Sequence, residues 1–89
     1  MGILMKSNGD VEEVAPSNGK TFSLQELQQY VQGYIEIVGV GDKYLILNEE
    51  GKLIGLELNV KATEIFIKYR GATDVVVGDV LLADDDEIN

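Results

Sequence analysis

The chain contains neither cysteine nor histidine in its 89 residues, and this absence limits both its fold and its chemistry. Without cysteine it can form no disulfide, so a single domain of this length relies on its hydrophobic core. Such a domain buries roughly 60% of the surface that its unfolded form exposes, which is enough for independent folding. Imidazole and thiolate are the usual nucleophiles, general bases and zinc ligands near neutral pH. The composition therefore predicts a non-enzymatic binding protein with no catalytic residues, no cofactor and no metal site.

The net charge of −9 limits the class of partner. Nucleic acid binding needs lysine and arginine to displace counterions from phosphates, so direct binding to DNA or RNA is disfavoured. No apolar run approaches the ~20 residues that cross a bilayer, and the N-terminal residues do not resemble a signal peptide. These features predict no membrane association and a cytoplasmic location. The acidic residues 84–89 are expected to form a frayed tail after a single domain of residues 1–83.

One amphipathic helix is the clearest local signal. Ser23 and Glu26 have the S-x-x-E spacing of a capping box, in which each side chain satisfies a backbone N–H group at the start of a helix. Apolar residues then recur at helical spacing on an otherwise glutamine-rich segment. Gly33 stands where a left-handed C-terminal cap is expected. The pattern predicts a helix over residues 24–32.

Strands are predicted on both sides of this helix, because short β-branched and aromatic runs alternate with turn signals. Asn8-Gly9 and Gly41-Asp42 are turn pairs typical of tight hairpins. The run 44–48 is apolar at consecutive positions, which indicates a central strand covered on both faces. The predicted strands are residues 3–5, 11–14, 34–40, 44–48, 53–56 and 74–82.

The segment 59–70 is ambiguous. Asn59 is a suitable N-cap and the apolar residues after it share a helical face, yet residues 64–69 also alternate as a strand does. We favour a short helix that ends at Gly71. The expected architecture is α+β, a small and mainly antiparallel sheet with the first helix packed on one face and a second short helix.

Four motifs together resemble a small family of domains of unknown function that phages, prophages and mobile elements encode. They are Gly33-Tyr34-Ile35-Glu36, the run Asn48-Glu49-Glu50-Gly51-Lys52-Leu53-Ile54-Gly55-Leu56, Asn59 with Ala62-Thr63, and Asp74-Val75-Val76-Val77-Gly78. Family members often have a proline shortly before the asparagine, where this chain has Glu57-Leu58. The resemblance implies a cytosolic location in a bacterial host and favours interference with host defence, and it carries over no catalytic residue.

The candidate ligand-binding residues form a cluster near the predicted second helix: Asn59, Lys61, Thr63, Tyr69 and Arg70. Several basic residues lie close together there on an otherwise acidic chain. A helix N-terminus with free backbone N–H groups, a lysine and hydrogen-bonding side chains could hold a phosphate or nucleotide, with a tyrosine for stacking. The alternative interpretation is that Asn59 only caps the helix and the cations cover a solvated face.

These observations lead to one functional hypothesis and two alternatives. We expect an accessory protein of a phage or mobile element that binds a host protein stoichiometrically through acidic surface, with counter-defence as its role. The first alternative is a sponge that sequesters a small nucleotide signal at the cluster around Asn59. The second is a structural homo-oligomer, since exposed strand edges allow pairing between chains.

Overall fold

The computed structural model describes residues 1–71 and 73–88, and it places five strands in one sheet with two helices. The elements in chain order are β1 (Gly2–Met5), β2 (Val11–Val14), α1 (Leu24–Val31), β3 (Ile35–Val40), β4 (Lys43–Asn48), α2 (Val60–Arg70) and β5 (Val80–Asp84). The two hairpins form where the sequence predicts them, at Asn8-Gly9 and at Gly41-Asp42. The predicted α+β fold is confirmed.

The sheet order is β2-β1-β5-β4-β3, and all neighbouring strands are antiparallel. The last strand in the chain therefore lies at the centre, between the first strand and the second hairpin. β4 is interior as predicted, and its residues Leu45 and Ile46 are fully buried. β2 and β3 form the two edges of the sheet.

Successive residues of a strand point to opposite sides, so both faces of the sheet carry side chains. A helix covers each of the two faces. Leu27 and Val31 of α1 pack over one face, and Ala62 of α2 packs over the other. Each interior strand contributes neighbouring residues to the two layers. The α1 layer takes Leu4, Ile46 and Leu81, and the α2 layer takes Met5, Leu45 and Val80.

The start of α1 agrees with the prediction and its end does not. The hydroxyl Oγ of Ser23 accepts from the N–H of Glu26 at 3.1 Å, and the Glu26 carboxylate accepts from the N–H of Ser23 at 2.9 Å. The predicted left-handed cap at Gly33 is wrong, because Gln32 takes that conformation with φ 64°. Gly33 instead lies against Asn48, whose Nδ2 would be 2.7 Å from a Cβ at that position.

The segment 59–70 is helical, which confirms the favoured interpretation. Asn59 is the N-cap, and Gly71 ends α2 in a left-handed conformation. The alternation within residues 64–69 did not produce a strand. Ala62 is buried and Ile65 and Phe66 pack beside it against the sheet, which requires helical spacing.

Two predicted strands differ from the structure. Residues 53–56 form a series of turns. The predicted strand 74–82 begins only at Val80, because Gly78 has φ 79° and turns the chain, with Leu56 packed where a Cβ would lie. Before that turn, Val77 forms only an isolated bridge with Leu58.

The acidic segment at the end of the chain, for which a frayed tail is predicted, has secondary structure over residues 84–87. Asp84 ends β5 and residues 85–87 form a short 3-10 helix. The Glu87 side chain is buried and forms an ion pair with the N-terminal ammonium of Met1 at 2.8 Å. The Glu87 carbonyl accepts from the N–H of Phe22 at 2.8 Å. These contacts tie the segment to the domain, and Asn89 lies outside the described residues.

Candidate functional site

Asn59, the first of the predicted ligand-binding residues, is 1% exposed and has all its polar side-chain atoms bonded to backbone. Its Nδ2 donates to the carbonyls of Met5 at 2.9 Å and of Gly78 at 2.8 Å. Its Oδ1 accepts from the N–H of Ala62 at 3.0 Å. The side chain therefore joins β1, the chain before β5 and the start of α2.

Thr63 is likewise bonded to the backbone of a neighbouring segment. Its Oγ1 accepts from the N–H of Val76 at 2.8 Å and donates to the carbonyl of the same residue at 3.2 Å. This pair of bonds attaches the chain before β5 to the side of α2. The contacts of Asn59 and Thr63 account for both residues without a ligand.

The three remaining predicted residues are exposed: Lys61 lies against the β1–β2 hairpin, and Tyr69 and Arg70 lie against the β3–β4 hairpin. The ammonium Nζ of Lys61 donates to the carbonyl of Gly9 at 3.2 Å, and Nη1 of Arg70 donates to the carbonyl of Gly39 at 3.2 Å. Tyr69, beside Arg70, is half exposed. An 11-residue helix is about 16 Å long, so the two ends of the set are far apart. The structure does not bring the five residues together in one site.

The most exposed large apolar side chain of the described residues, Leu53, lies elsewhere, on the turns between β4 and α2. Leu53 is 86% exposed, Ile54 is 60% exposed, and Tyr34, which directly precedes β3, is 66% exposed. Elsewhere in the described residues, Met1 and Val60 are about as exposed as Ile54. Glu50 is also exposed on these turns. We name residues 49–56 the Leu53 loop, and we name the side chains of Tyr34, Glu50, Leu53 and Ile54 the Leu53 surface.

Hydrogen bonds hold the Leu53 loop in place. The buried Asn48 donates through Nδ2 to the carbonyl of Val31 at 3.0 Å and accepts through Oδ1 from the N–H of Glu50 at 2.8 Å. Within the loop, the N–H of Ile54 donates to the carbonyl of Glu50 at 3.0 Å. The loop is therefore fixed to the end of α1, and these hydrogen bonds hold the backbone that carries its exposed apolar side chains.

A cavity of about 210 Å³ lies beside the loop on the α2 face of the sheet. Its apolar wall includes Phe66, and Leu53 lies at its rim. Two acidic residues, Glu36 and Glu49, and an ion pair between Lys52 and Asp74 supply its polar groups. The cavity thus combines apolar and mainly acidic lining. Its remaining lining residues are Val38, Leu47, Asn48, Val75, Val76 and Val77.

The ion pair in this cavity is close and exposed. Nζ of Lys52 lies 2.5 Å from Oδ1 of Asp74. The hydrogen bond from Lys52 and a second one from the N–H of Val75 lower the pKa of the Asp74 carboxyl below its ordinary value. Lys52 is thus engaged by Asp74, and Glu36 and Glu49 have no such partner among the described residues.

A second cavity of about 310 Å³ lies on the other side of the loop, at the end of α1. Tyr34, Glu50 and Ile54 line it together with polar side chains of α1. The Leu53 loop is therefore flanked by two recesses, each with apolar lining and at least one carboxylate. This arrangement suits contact with a side chain that has an apolar stem and a positive end.

Negative charge dominates the surface around these recesses. Four ion pairs are present in the described residues: the N-terminus with Glu87, Lys6 with Glu12, Lys43 with Asp84, and Lys52 with Asp74. They engage only a minority of the 16 acidic residues. Within 1–71 and 73–88, no group of three or more acidic residues is placed to hold a metal ion, and neither helix is long and apolar enough to cross a membrane.

Sequence reasoning missed the Leu53 surface because it interpreted residues 53–56 as a strand. The run Leu53-Ile54-Gly55-Leu56 has β-branched and apolar residues, which indicate a strand when neighbours are unknown. A usable signal was present in its flanks: glycines at 51 and 55 enclose only three residues, which is short for a paired strand and typical of consecutive turns.

Comparison with protein families gives a match over the whole chain. Residues 1–89 match DUF3846, a domain of unknown function. No curated protein and no solved structure matches the chain.

Proposed function

We propose that this chain, which belongs to the DUF3846 family of domains of unknown function, is a non-enzymatic protein that binds another protein stoichiometrically through the Leu53 surface. The observation that carries the proposal is the exposure of Leu53, Ile54 and Tyr34 on an ordered loop. Exposed apolar clusters rimmed by polar groups are typical of protein interfaces, in which a few buried side chains supply most of the affinity.

The charge of the chain defines the chemistry of its partner. With a net charge of −9 and acidic residues at Glu36, Glu49 and Glu50, the molecule attracts a basic surface and repels an acidic one. A basic partner would be steered to this face, and its association would weaken as salt screens the charges. We therefore infer a partner with lysine or arginine beside apolar residues.

The biological setting in this proposal rests on the resemblance of the sequence motifs. We propose a phage or mobile-element origin, a cytoplasmic location in the bacterial host, and a host protein as the target. Interference with host defence is the role that fits a small acidic protein of such an element. Binding without turnover agrees with a composition that has no imidazole and no thiol.

The experiment is capture of partners from bacterial host lysate on the immobilised protein over a series of salt concentrations. We expect a partner that is retained at low salt and released as salt rises. The double variant Leu53→Ser/Ile54→Ser should weaken capture at least tenfold, because fully burying a leucine or isoleucine side chain stabilises by roughly 1.5–3 kcal/mol and tenfold corresponds to ~1.4 kcal/mol. The matched control, Val11→Ser/Val60→Ser, removes two exposed apolar side chains elsewhere and should capture as wild type does.

Absence of any partner at low salt would contradict the proposal. Equal losses in the two double variants would contradict the assignment to the Leu53 surface.

The two alternative functions have their own tests. A thermal-shift screen with cyclic nucleotides and ADP-ribose derivatives tests the nucleotide sponge, since a tight ligand must raise the melting temperature. Arg70→Ala should abolish any such shift if the predicted cluster binds the nucleotide. Sedimentation of the isolated protein tests the homo-oligomer. The nucleotide sponge is not favoured by the placement of Asn59 and Thr63, whose polar side-chain atoms are bonded to backbone.

A further inference from the structure

The edge strand β3 has backbone groups that face away from the sheet. Among residues 1–71 and 73–88 it pairs with β4 alone, and the pairing is antiparallel. In such a pair, residues that exchange hydrogen bonds alternate with residues that do not. The N–H of Glu49 donates to the carbonyl of Tyr34 at 2.9 Å, so these two residues are a bonded pair. By alternation Ile35, Ile37 and Gly39 direct their N–H and C=O groups outward.

A contact at the far end of β3 supports this assignment independently. Gly39 has an outward carbonyl by the alternation, and Nη1 of Arg70 donates to that carbonyl from outside the ladder. Gly41-Asp42 is a two-residue turn with a positive φ at Gly41, which is the type II′ geometry that makes the flanking residues a bonded pair. Both ends of β3 therefore give the same alternation, which leaves the backbone of Ile35 and Ile37 available at the edge.

The side chains of the same residues line a mainly apolar groove, in which Asn18, Thr21 and Ser23 are the polar lining residues. Ile35 and Ile37 lie with Leu24 of α1 around a recess of about 360 Å³ on the α1 face. Ile37 is 45% exposed and Leu24 is 58% exposed. Between the two isoleucines, Glu36 points to the opposite face, where it lines the acidic cavity that Leu53 borders. The edge therefore presents an apolar groove on one face and negative charge on the other.

The other edge of the sheet lacks this combination. β2 carries two adjacent acidic residues, Glu12 and Glu13, in a strand of four residues. Short, charged edge strands resist pairing with other chains, whereas β3 has six residues and a single acid. The two edge strands thus differ in length and charge, and these properties decide whether a further strand can pair with them.

We propose that the edge of β3 binds an extended segment of the partner protein as a sixth strand, with apolar side chains of that segment over the groove and basic side chains alternating toward Glu36. This inference rests on the proposed function and specifies its partner. Backbone hydrogen bonds to Ile35 and Ile37 would supply affinity, and the period-two pattern would supply specificity. A second copy of this chain is disfavoured as the occupant, because two molecules of charge −9 repel each other.

The probe is a capped eight-residue peptide in which valine and lysine alternate, labelled for fluorescence anisotropy. We expect binding at low salt that weakens with added salt, and at least tenfold weaker binding when glutamate replaces each lysine. In the amide spectrum of the wild-type protein, the peptide should shift the signals of Ile35 and Ile37 and leave those of β2 unchanged.

Proline at position 37 tests the edge directly. The N–H of Ile37 faces outward, so Ile37→Pro removes no bond to β4 and blocks the added strand. Val11→Pro is the matched control. Because the N–H of Lys6 donates to the carbonyl of Asp10 at 2.8 Å, the next residue along, Val11, is also outward-facing, and it lies on the opposite edge. We expect wild type and Val11→Pro to bind the peptide equally and Ile37→Pro to bind it at least tenfold more weakly.

Several results would overturn the inference. They are no peptide binding at millimolar concentration, equal binding by the two proline variants, or amide shifts confined to other strands. A wild-type dimer that Ile37→Pro dissociates would assign the edge to a second copy. If Ile37→Pro does not fold, the amide shifts of the wild type decide alone. If lysate capture is lost in Leu53→Ser/Ile54→Ser but retained in Ile37→Pro, the proposed function holds and the sixth strand does not.

Discussion

Replacement of the buried Asn59 should lower the free energy of unfolding by more than the loss of a helix N-cap alone would. Asn59→Ala removes the acceptor of the Ala62 N–H group, which as an N-cap is worth ~1 kcal/mol. It also removes the donor to two buried carbonyls, of Met5 and Gly78, at about 1 kcal/mol each. We therefore expect a total loss of about 3 kcal/mol.

This loss is large for a domain of 89 residues, whose free energy of unfolding is expected to be about 4 to 13 kcal/mol. At 4–8 °C per kcal/mol, the melting temperature should fall by about 12–24 °C. Urea denaturation gives the free energy from the midpoint and slope, and thermal melting gives the second measure. Ser23→Ala, which removes an exposed N-cap of α1, is the control and should cost only ~1 kcal/mol.

The variant Asn59→Asp distinguishes the two roles of this side chain, which are to cap α2 and to bond the carbonyls of Met5 and Gly78. Aspartate is as good an N-cap as asparagine, so a residue that only capped α2 would tolerate the change. The carboxylate would instead face the carbonyls of Met5 and Gly78, which raises its pKa in the folded state. The variant should then be destabilised at neutral pH and recover part of the loss, relative to wild type, as the pH falls below that raised pKa. A variant within ~0.5 kcal/mol of wild type at pH 7 would refute this reasoning and leave the amide free for a ligand.

Three further predictions concern backbone conformation and pH. Gln32→Gly should raise the free energy of unfolding by ~0.5–1 kcal/mol, measured in urea, because Gln32 has φ 64° and glycine adopts that conformation without strain. Gly78→Ala should lower it by about 1–3 kcal/mol, since φ is 79° there and the new Cβ would lie 2.7 Å from Cδ1 of Leu56; an unchanged midpoint would contradict the backbone path before β5. The hydrogen bond from the backbone N–H of Ser23 lowers the pKa of Glu26 below its ordinary 4.5. Its contribution to stability is therefore complete above pH 4.5 and lost as the pH falls through the lowered pKa, and thermal melts of Glu26→Gln should show a smaller acid-induced decrease than wild type.

Elements defined by neighbouring residues could be predicted from the sequence. The capping box of Ser23 and Glu26 specifies the start of α1 because both partners are three residues apart. The hairpin turn at Gly41-Asp42 is equally local. Gly71 ends α2 as a C-cap of the expected type. In each case the interaction that stabilises the element lies within it or directly beside it.

The candidate site could not be predicted in the same way, since it depends on residues far apart in the chain. Asn48 of β4 lies beside Gly33, and it is Gln32 that takes the left-handed conformation which the sequence assigns to the glycine. Asn59 was identified as a cap from its position, but its bonds to Met5 and Gly78 span 54 and 19 residues. Leu53 is apolar, and its exposure follows only from the turns that the ends of α1 and β4 impose on its loop.

The sequence by itself determined the class of the fold, the two hairpins, the first helix and the absence of imidazole and thiol, because composition, turn chemistry and capping act over a few residues. It favoured the second helix without excluding a strand. Tertiary structure alone decided that β5 enters the centre of the sheet, that β3 becomes an edge, and that the Leu53 loop stays outside the core. Strand order and exposure arise from packing between distant segments, in which each segment competes for a limited apolar interior. Sequence patterns over a few residues therefore do not predict strand order or the exposure of a particular loop.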